Sequence, residues 1–337
     1  MTSHIIESVL LPERELIKEY LGDPADLINS PTPAQRLVFG ERRRRIPEMF
    51  DFDNPTMIGV VQNQDSYAQG VASQRPFFFD HVAGLTDRAM GEYAELTGRR
   101  YRRAAGYRSD DAELLIVGQG SVVGNAEALA DRLRADRGLE IGVVDVTMFR
   151  PFPADLLTRL LRGKRAVLVL ERVDQPLAVD PPLLREIRAA MAQGVENGRA
   201  AARIGLAGSR DLQAGDLIAA VDNMLPDGAG RRSFYLGIEF IRRGPVPEKL
   251  GEWQDRVLAA YPHIAELALA PAENVSLLPE GSMAVRIHSV GGWGAITMGK
   301  NLTMTLFELL GMNVKSNPKY GSEKKEQPTT FYGVFAY

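Results

Sequence analysis

Residues 113–225 alternate short apolar runs with amphipathic stretches. "ELLIVGQGS", "EIGVVDVTMF", "RAVLVLERV" and "AARIGLAG" are nearly unbroken apolar runs, and "RRSFYLGIEF" adds a further strand-like run just beyond. Runs of this kind suit strands covered on both faces, as in a parallel sheet. Between them, "NAEALADRLRAD", "ADLLTRLLRG", "PPLLREIRAAMA" and "AGDLIAAVDNML" carry apolar residues at helical spacing. The pattern predicts βαβ units with crossover helices, an α/β fold.

Upstream the periodicity is weaker. "SPTPAQRLVFGERRRRIPEMFDFDNPT" is rich in proline and charge and predicts an extended, wrapping path. "FDHVAGLTDRAMGEYAELTGRRY" predicts a helix with Val82, Leu85, Ala89, Tyr93 and Leu96 on one face and Gly98 as its stop. Residues 246–282 hold four prolines and six acids against two basic residues, the profile of an acidic linker with one short helix. From Met283 a second unit begins: strand "MAVRIHSV", a glycine turn, helix "TMGKNLTMTLFELLG" and strand "MNVKS". Met298, Leu302, Leu306, Leu309 and Leu310 form one stripe of that helix and predict its packing face.

Composition narrows the chemistry. The chain has 337 residues and no cysteine, so within it there is no disulfide, no thiol nucleophile and no all-cysteine iron–sulfur site. His4, His81, His263 and His288 are too scattered for a local metal motif. A net charge of −3 gives no general attraction to nucleic acid or to an anionic membrane, and no apolar run is long enough to span a bilayer. A cytoplasmic protein is expected. Arg42, Arg43, Arg44 and Arg45 lie between glutamates without interleaved aromatics, which points to a solvated or salt-bridged run.

The glycine turn is the richest candidate. "GAITMGKN" has the Walker A spacing, but Asn301 stands where Ser or Thr should hold magnesium, which disfavours a nucleotide hydrolase. "GWGAIT" places Thr297 where a dinucleotide fingerprint needs its last glycine. Two readings remain: amides exposed at a helix N-terminus that seat an anion, with Lys300 adding charge, or glycines that only allow tight strand–helix packing. Residues 283–337 hold six basic residues against three acids, which favours an anionic ligand.

"RIHSVGGWGAITMGKNL" followed by "KSNPKYGSEKKEQPTTFY" resembles the start of the gamma domain of the 2-oxoacid:ferredoxin oxidoreductases, the family of pyruvate:ferredoxin oxidoreductase. "VVQNQDSYAQG" and "YAELTGRRY" resemble the end of that family's alpha (pyrimidine-binding-type) domain, and "AELLIVGQGS…VDVTMFRPFP…AVLVLERVDQP" its second domain, which is similar to the transketolase C-terminal domain. The layout this implies is an alpha-domain tail with connecting helices over 1–110, a transketolase C-terminal-like sheet domain over 111–245, the acidic linker over 246–282 and the opening of a Rossmann-like βαβ gamma domain over 283–337. Such enzymes decarboxylate a 2-oxoacid oxidatively with coenzyme A, thiamine diphosphate and magnesium, passing electrons through iron–sulfur clusters to ferredoxin or flavodoxin.

The resemblance implies that Gly291, Gly292, Gly294, Lys300, Lys319, Tyr320, Gly321, Ser322 and Glu323 form part of a coenzyme A site. It implies no catalytic or metal-ligating residue in this chain. The thiamine-activating glutamate, the diphosphate-binding G-D-G pattern and the cluster cysteines are expected on partner domains or subunits, in a larger oligomeric enzyme. A gamma domain ending after "PTTFYGVFAY" is expected to leave an apolar strand edge unpaired. Other residues carry structural expectations: hydrogen bonding where the alpha and second domains meet for Asn63, Gln64, Asp65 and Tyr67, a strand-to-helix turn for Arg150, and domain-interface salt bridges for Glu171, Arg172 and Asp174. A non-catalytic assembly module is the competing class.

Overall fold

The computed structural model describes residues 12–48, 50–53, 61–173, 175, 177–193, 201–207, 212–237, 246–319 and 328–337. Its first part holds α1 (Arg14–Leu21), β1 (Leu27–Asn29), α2 (Pro33–Phe39), β2 (Arg42–Arg44), α3 (Gln64–Gln74) and α4 (Asp80–Thr97). The stretch expected to be extended therefore contains a helix and a strand. Thr32 caps α2 by accepting the Gln35 amide at 3.2 Å, with Pro33 just inside the helix, and β2 pairs antiparallel with β1. The arginine run is tied down as a salt-bridged segment: Arg44 pairs with Glu48, and Arg45 lies 3.6 Å from Asp26. A wide turn, Arg75–Phe79, joins α3 to α4, because Pro76 has no amide and Asp80 N–H reaches back to Arg75 O. Gly98 closes α4 in the left-handed conformation, φ 72°, as its place in the sequence predicts.

The central body contains β3 (Ala105–Tyr107), β4 (Leu114–Gly118), α5 (Val122–Arg137), β5 (Ile141–Asp145), α6 (Ala154–Leu161), β6 (Ala166–Glu171), α7 (Pro182–Gln193), β7 (Ala201–Ala207), α8 (Ala214–Asp222) and β8 (Ser233–Leu236). Strand order is β3-β5-β4-β6-β7-β8, parallel throughout except for the antiparallel edge strand β3. Helices cover both faces, which is why the strands read as unbroken apolar runs. On one face Leu129 and Leu133 of α5 and Leu217 and Val221 of α8 meet Ile116 and Leu168. On the other, Leu157 and Leu161 of α6 and Leu183 and Ile187 of α7 meet Leu115 and Val169. The α/β reading of the sequence holds.

The acidic stretch contains α9 (Glu248–Ala260) and α10 (Ile264–Leu267) and does not run free of this sheet. Leu269 N–H donates to Tyr235 O at 3.1 Å, Ala272 N–H to Gly215 O at 3.0 Å, and Gly215 N–H to Asn274 Oδ1 at 2.7 Å, so its end lies along β8 and α8.

The last unit is β9 (Met283–Val290), α11 (Ala295–Leu310), β10 (Asn313–Lys319) and β11 (Pro328–Ala336). Its strand order is β10-β11-β9, with β11 antiparallel to both neighbours. β9 and β10 are thus parallel to each other with β11 inserted between them, a split βαβ arrangement. This corrects the expectation of an unpaired apolar edge: the apolar strand is the central one, and the more polar β9 and β10 take the edges. The packing stripe of α11 also differs from expectation. Ala295 and Gly299 are buried against the sheet, Leu302 and Leu306 are half-buried, and Met298, Leu309 and Leu310 are exposed. Small residues carry this face because the helix closes directly on Phe331: a Cβ at Gly299 would lie 2.3 Å from its ring.

Candidate functional site

The glycine turn follows β9, where Trp293 N–H donates to Val290 O at 3.2 Å. Gly292 and Gly294 have φ 93° and 81°, the left-handed region that excludes most side chains, and a Cβ on either would meet nothing within 4 Å. Their role is therefore backbone conformation with open space above, and the tight strand–helix packing that was the second reading of the turn is done by Gly299. The spacing that mimics Walker A has the same explanation. Residues 295–300, which would form a phosphate loop, are already the first turns of α11, and Gly299 is buried packing.

Met298 N–H donates to Gly294 O at 2.9 Å, so the amides of Ala295, Ile296 and Thr297 precede the helical ladder, and no side chain caps them. Those donors face the positive end of the helix dipole. Lys300 is exposed more than one turn into α11, and Gly291 is half-buried at the end of β9. Lys319 ends β10 in register with Thr330, which pairs with His288. Because β9 and β10 are parallel, Lys319 and the glycine turn come to the same end of the sheet, with β11 between them. Tyr320, Gly321, Ser322 and Glu323 lie outside the described residues. Between β9 and β11, His288 Nδ1 is 3.1 Å from Thr330 Oγ1, and Arg286 donates to Tyr332 Oη at 2.7 Å with its guanidinium 4.7 Å from the ring centre.

In the central sheet the order β5-β4-β6 reverses at β4/β6, where open α/β sheets tend to seat ligands. Here that seat is filled by the protein itself. Glu171, 4% exposed, accepts the amides of Leu183 at 2.6 Å and Leu184 at 3.2 Å, so its carboxylate occupies the anion position at the start of α7. This replaces the interface salt bridge expected of Glu171; Asp174 lies outside the described residues. Burial pushes the Glu171 carboxyl up, and the two amide bonds oppose that shift in part. Asp145, ending β5, is likewise pushed up by burial. Arg150 stacks 4.3 Å over Phe149 and pairs with Glu186 of α7 at 2.7 Å, fixing the strand-to-helix turn. Asn63, Gln64, Asp65 and Tyr67 are exposed, and the structural hydrogen bonding expected of their side chains is not found among the described residues. They sit at the exposed start of α3, where water can satisfy their polar groups.

A cleft of about 490 Å³ that the sequence did not single out lies between α4, Leu156 of α6 and Arg100, Tyr101, Arg102 and Arg103. "RRYRR" differs from the earlier arginine run in its interleaved tyrosine and in the absence of an adjacent acid, a signal that was legible. Among the described residues no group of three or more His, Asp or Glu side chains is gathered to hold a metal ion, and no helix is long and apolar enough to cross a membrane.

Residues 112–217 match the family model for pyruvate:ferredoxin oxidoreductase core domain II, and residues 284–337 match that for pyruvate ferredoxin/flavodoxin oxidoreductase. Both stretches are thus similar to domains of the pyruvate:ferredoxin oxidoreductase family. The chain is 34% identical over 150 residues to a probable pyruvate-flavodoxin oxidoreductase of Escherichia coli K12, covering 43% of this chain and 12% of that protein. To the pyruvate:ferredoxin oxidoreductase of Moorella thermoacetica it is 24% identical over 274 residues, 81% of this chain and 21% of that one. To the pyruvate synthase subunit PorA of Thermotoga maritima it is 28% identical over 189 residues, 56% of this chain and 43% of that subunit. The chain spans less than half the length of each of these oxidoreductase relatives. Within the family, core domain II corresponds to the body built on β4–α8, and the second match to the split βαβ unit.

Proposed function

We propose that this chain is a non-autonomous component of a 2-oxoacid:ferredoxin oxidoreductase, contributing the core domain II body and the coenzyme A side of the site. The observation that carries this reading is the turn at Gly292 and Gly294, open above, with uncapped amides at the start of α11. A phosphate of coenzyme A would take those amides, with Lys300 supplying charge. Thiamine diphosphate, magnesium and the clusters belong to partner domains or subunits in this reading, since the chain has no cysteine to ligate iron. The residues here bind and orient the acyl acceptor; the carbanion chemistry is supplied elsewhere.

Exposed apolar side chains support a component covered by other parts of a larger enzyme. Phe78 and Phe79 before α4, and Trp293, Phe307, Leu309 and Leu310 around α11, are all exposed. Titration calorimetry of the chain with coenzyme A tests the site. Lys300→Gln should weaken binding about tenfold, the worth of one charge-assisted contact, without moving the melting temperature. Gly294→Val should weaken it further by forcing the turn out of its left-handed conformation. Coenzyme A affinity unchanged in both variants would remove the site from the glycine turn.

A further inference from the structure

We propose that the cleft between α4 and Arg100–Arg102 binds a small phosphate-bearing ligand with a flat apolar body, the chemistry of a nucleoside diphosphate. The four arginines of "RRYRR" do not share one role. Arg103 is only 12% exposed and is committed to the fold: it donates to Asp87 of α4 at 2.8 Å and lies 3.6 Å from Asp155 of α6. Its carbonyl accepts Met148 N–H at 3.1 Å, so the segment is anchored at both side chain and backbone. Arg100 and Arg102 line the cleft, are exposed and make no ion pair among the described residues. Two carboxylates already answer Arg103, and the guanidinium charges of Arg100 and Arg102 have no carboxylate partner among the described residues.

The obvious alternative partner for these charges is the carbonyl end of α4, which attracts cations. At that end Gly98 N–H donates to Ala94 O at 2.8 Å, and neither Arg100 nor Arg102 donates to a carbonyl of α4 among the described residues.

The rest of the lining suits an apolar ring. Met90, Gly91 and Ala94 share one face of α4, with Asp87, already paired to Arg103, at the end of that face. Gly91 is the informative position. Glycine in mid-helix costs about 1 kcal/mol against alanine, and a Cβ at Gly91 would meet nothing within 4 Å, so no crowding demands it. What its missing side chain does is leave the floor of the cleft open and flat. Tyr101, 47% exposed, forms a wall, held 5.9 Å from Tyr93, which stands edge-on to Tyr20 at 5.3 Å. The aromatic wall is thus positioned before any ligand arrives, which lowers the ordering cost of binding. A volume of about 490 Å³ is in the usual range of small-ligand sites. Two guanidiniums two residues apart match the paired oxyanions of a diphosphate, and the tyrosine with Met90, Ala94 and Leu156 matches a base.

The test is titration calorimetry of the whole chain with ADP, adenosine and pyrophosphate. We expect one ADP per chain, with adenosine and pyrophosphate each at least about tenfold weaker, as each lacks half of the matched chemistry. Arg100→Gln with Arg102→Gln should weaken ADP about 100-fold, two charge-assisted contacts at about tenfold each. Gly91→Leu should weaken ADP at least about tenfold by filling the floor, with a melting temperature equal to or above that of the parent because leucine favours the helix. No ADP binding by the parent chain overturns the proposal. So does ADP binding indifferent to Gly91→Leu and to the double variant, or binding lost in Lys300→Gln instead, which would assign it to the glycine turn. Pyrophosphate bound as tightly as ADP overturns the apolar half.

Discussion

Glu171→Ala is expected to lower the stability of the parallel-sheet body by about 3 kcal/mol at neutral pH, the cost of leaving two buried amides unpaired. The geometry at the start of α7 makes the loss hard to avoid. Pro182 opens the helix and has no N–H, Arg185 N–H already reaches Pro181 O at 3.0 Å, and the two donors between them both bond to Glu171. Leu183 and Leu184 are 0% exposed, so water cannot replace the carboxylate. Glu171 also gives the stability a pH slope. Burial raises its pKa above the ordinary value, so between that value and the raised one the folded chain holds more proton than the unfolded chain. Stability from this group therefore falls as pH rises through that window and levels off above it. Glu171→Gln cannot titrate and should remove that part of the slope while keeping one acceptor, for a smaller loss of about 1 kcal/mol. Denaturant unfolding of the three proteins at stepped pH measures both effects. Equal midpoints for Glu171→Ala and the parent would show that the carboxylate does not hold the helix.

The second large effect is expected from Gly299→Val, which should destabilise the split βαβ unit by about 3 kcal/mol through overpacking. Its Cβ would lie 2.3 to 2.6 Å from Phe331 ring atoms, and Phe331 is fully buried on the central strand β11. The ring has little room to retreat. Beside it Phe335 leans over Gly333, where a Cβ would meet Phe335 at 2.6 Å and Phe331 at 3.2 Å. Glycines 299 and 333 are thus the spaces into which the two rings fit. Gly299→Ala tests the same clash with less bulk, and its loss is offset by about 1 kcal/mol of helix propensity. Thermal unfolding should show Gly299→Val well below the parent, and the double variant with Phe331→Ala should lose less than the sum of the two single losses, because without the ring the new side chain has room. A Gly299→Val protein that melts with the parent would refute the close approach.

Much of the candidate site could be read from residues alone. Gly292 and Gly294 stand out because a left-handed turn from strand to helix admits few other residues, and that demand is local. Gly299 was open to misreading because it completes a Walker-like spacing, and spacing does not say whether a glycine serves the backbone or a neighbour's ring. The two arginine runs make the same point. Arg44 and Arg45 have carboxylate partners while Arg100 and Arg102 have none among the described residues, and only the placement of Glu48, Asp26, Asp87 and Asp155 separates them. Glu171 reads as a charge at a strand end; its partners lie 12 and 13 positions on, and they become partners only when α7 docks on the sheet.

The sequence by itself determined the alternation of buried strands and crossover helices, the positive-φ glycines and the absence of any thiol ligand in the chain. These follow from burial and backbone conformation, which act within a few residues. Only the tertiary structure decided that β11 enters between β9 and β10, that Gly299 is a packing residue, that Glu171 fills the seat at the strand-order reversal, and which arginines remain unpaired. Each depends on partners brought together from separate segments, and the free energy of such contacts is set by what meets across the fold.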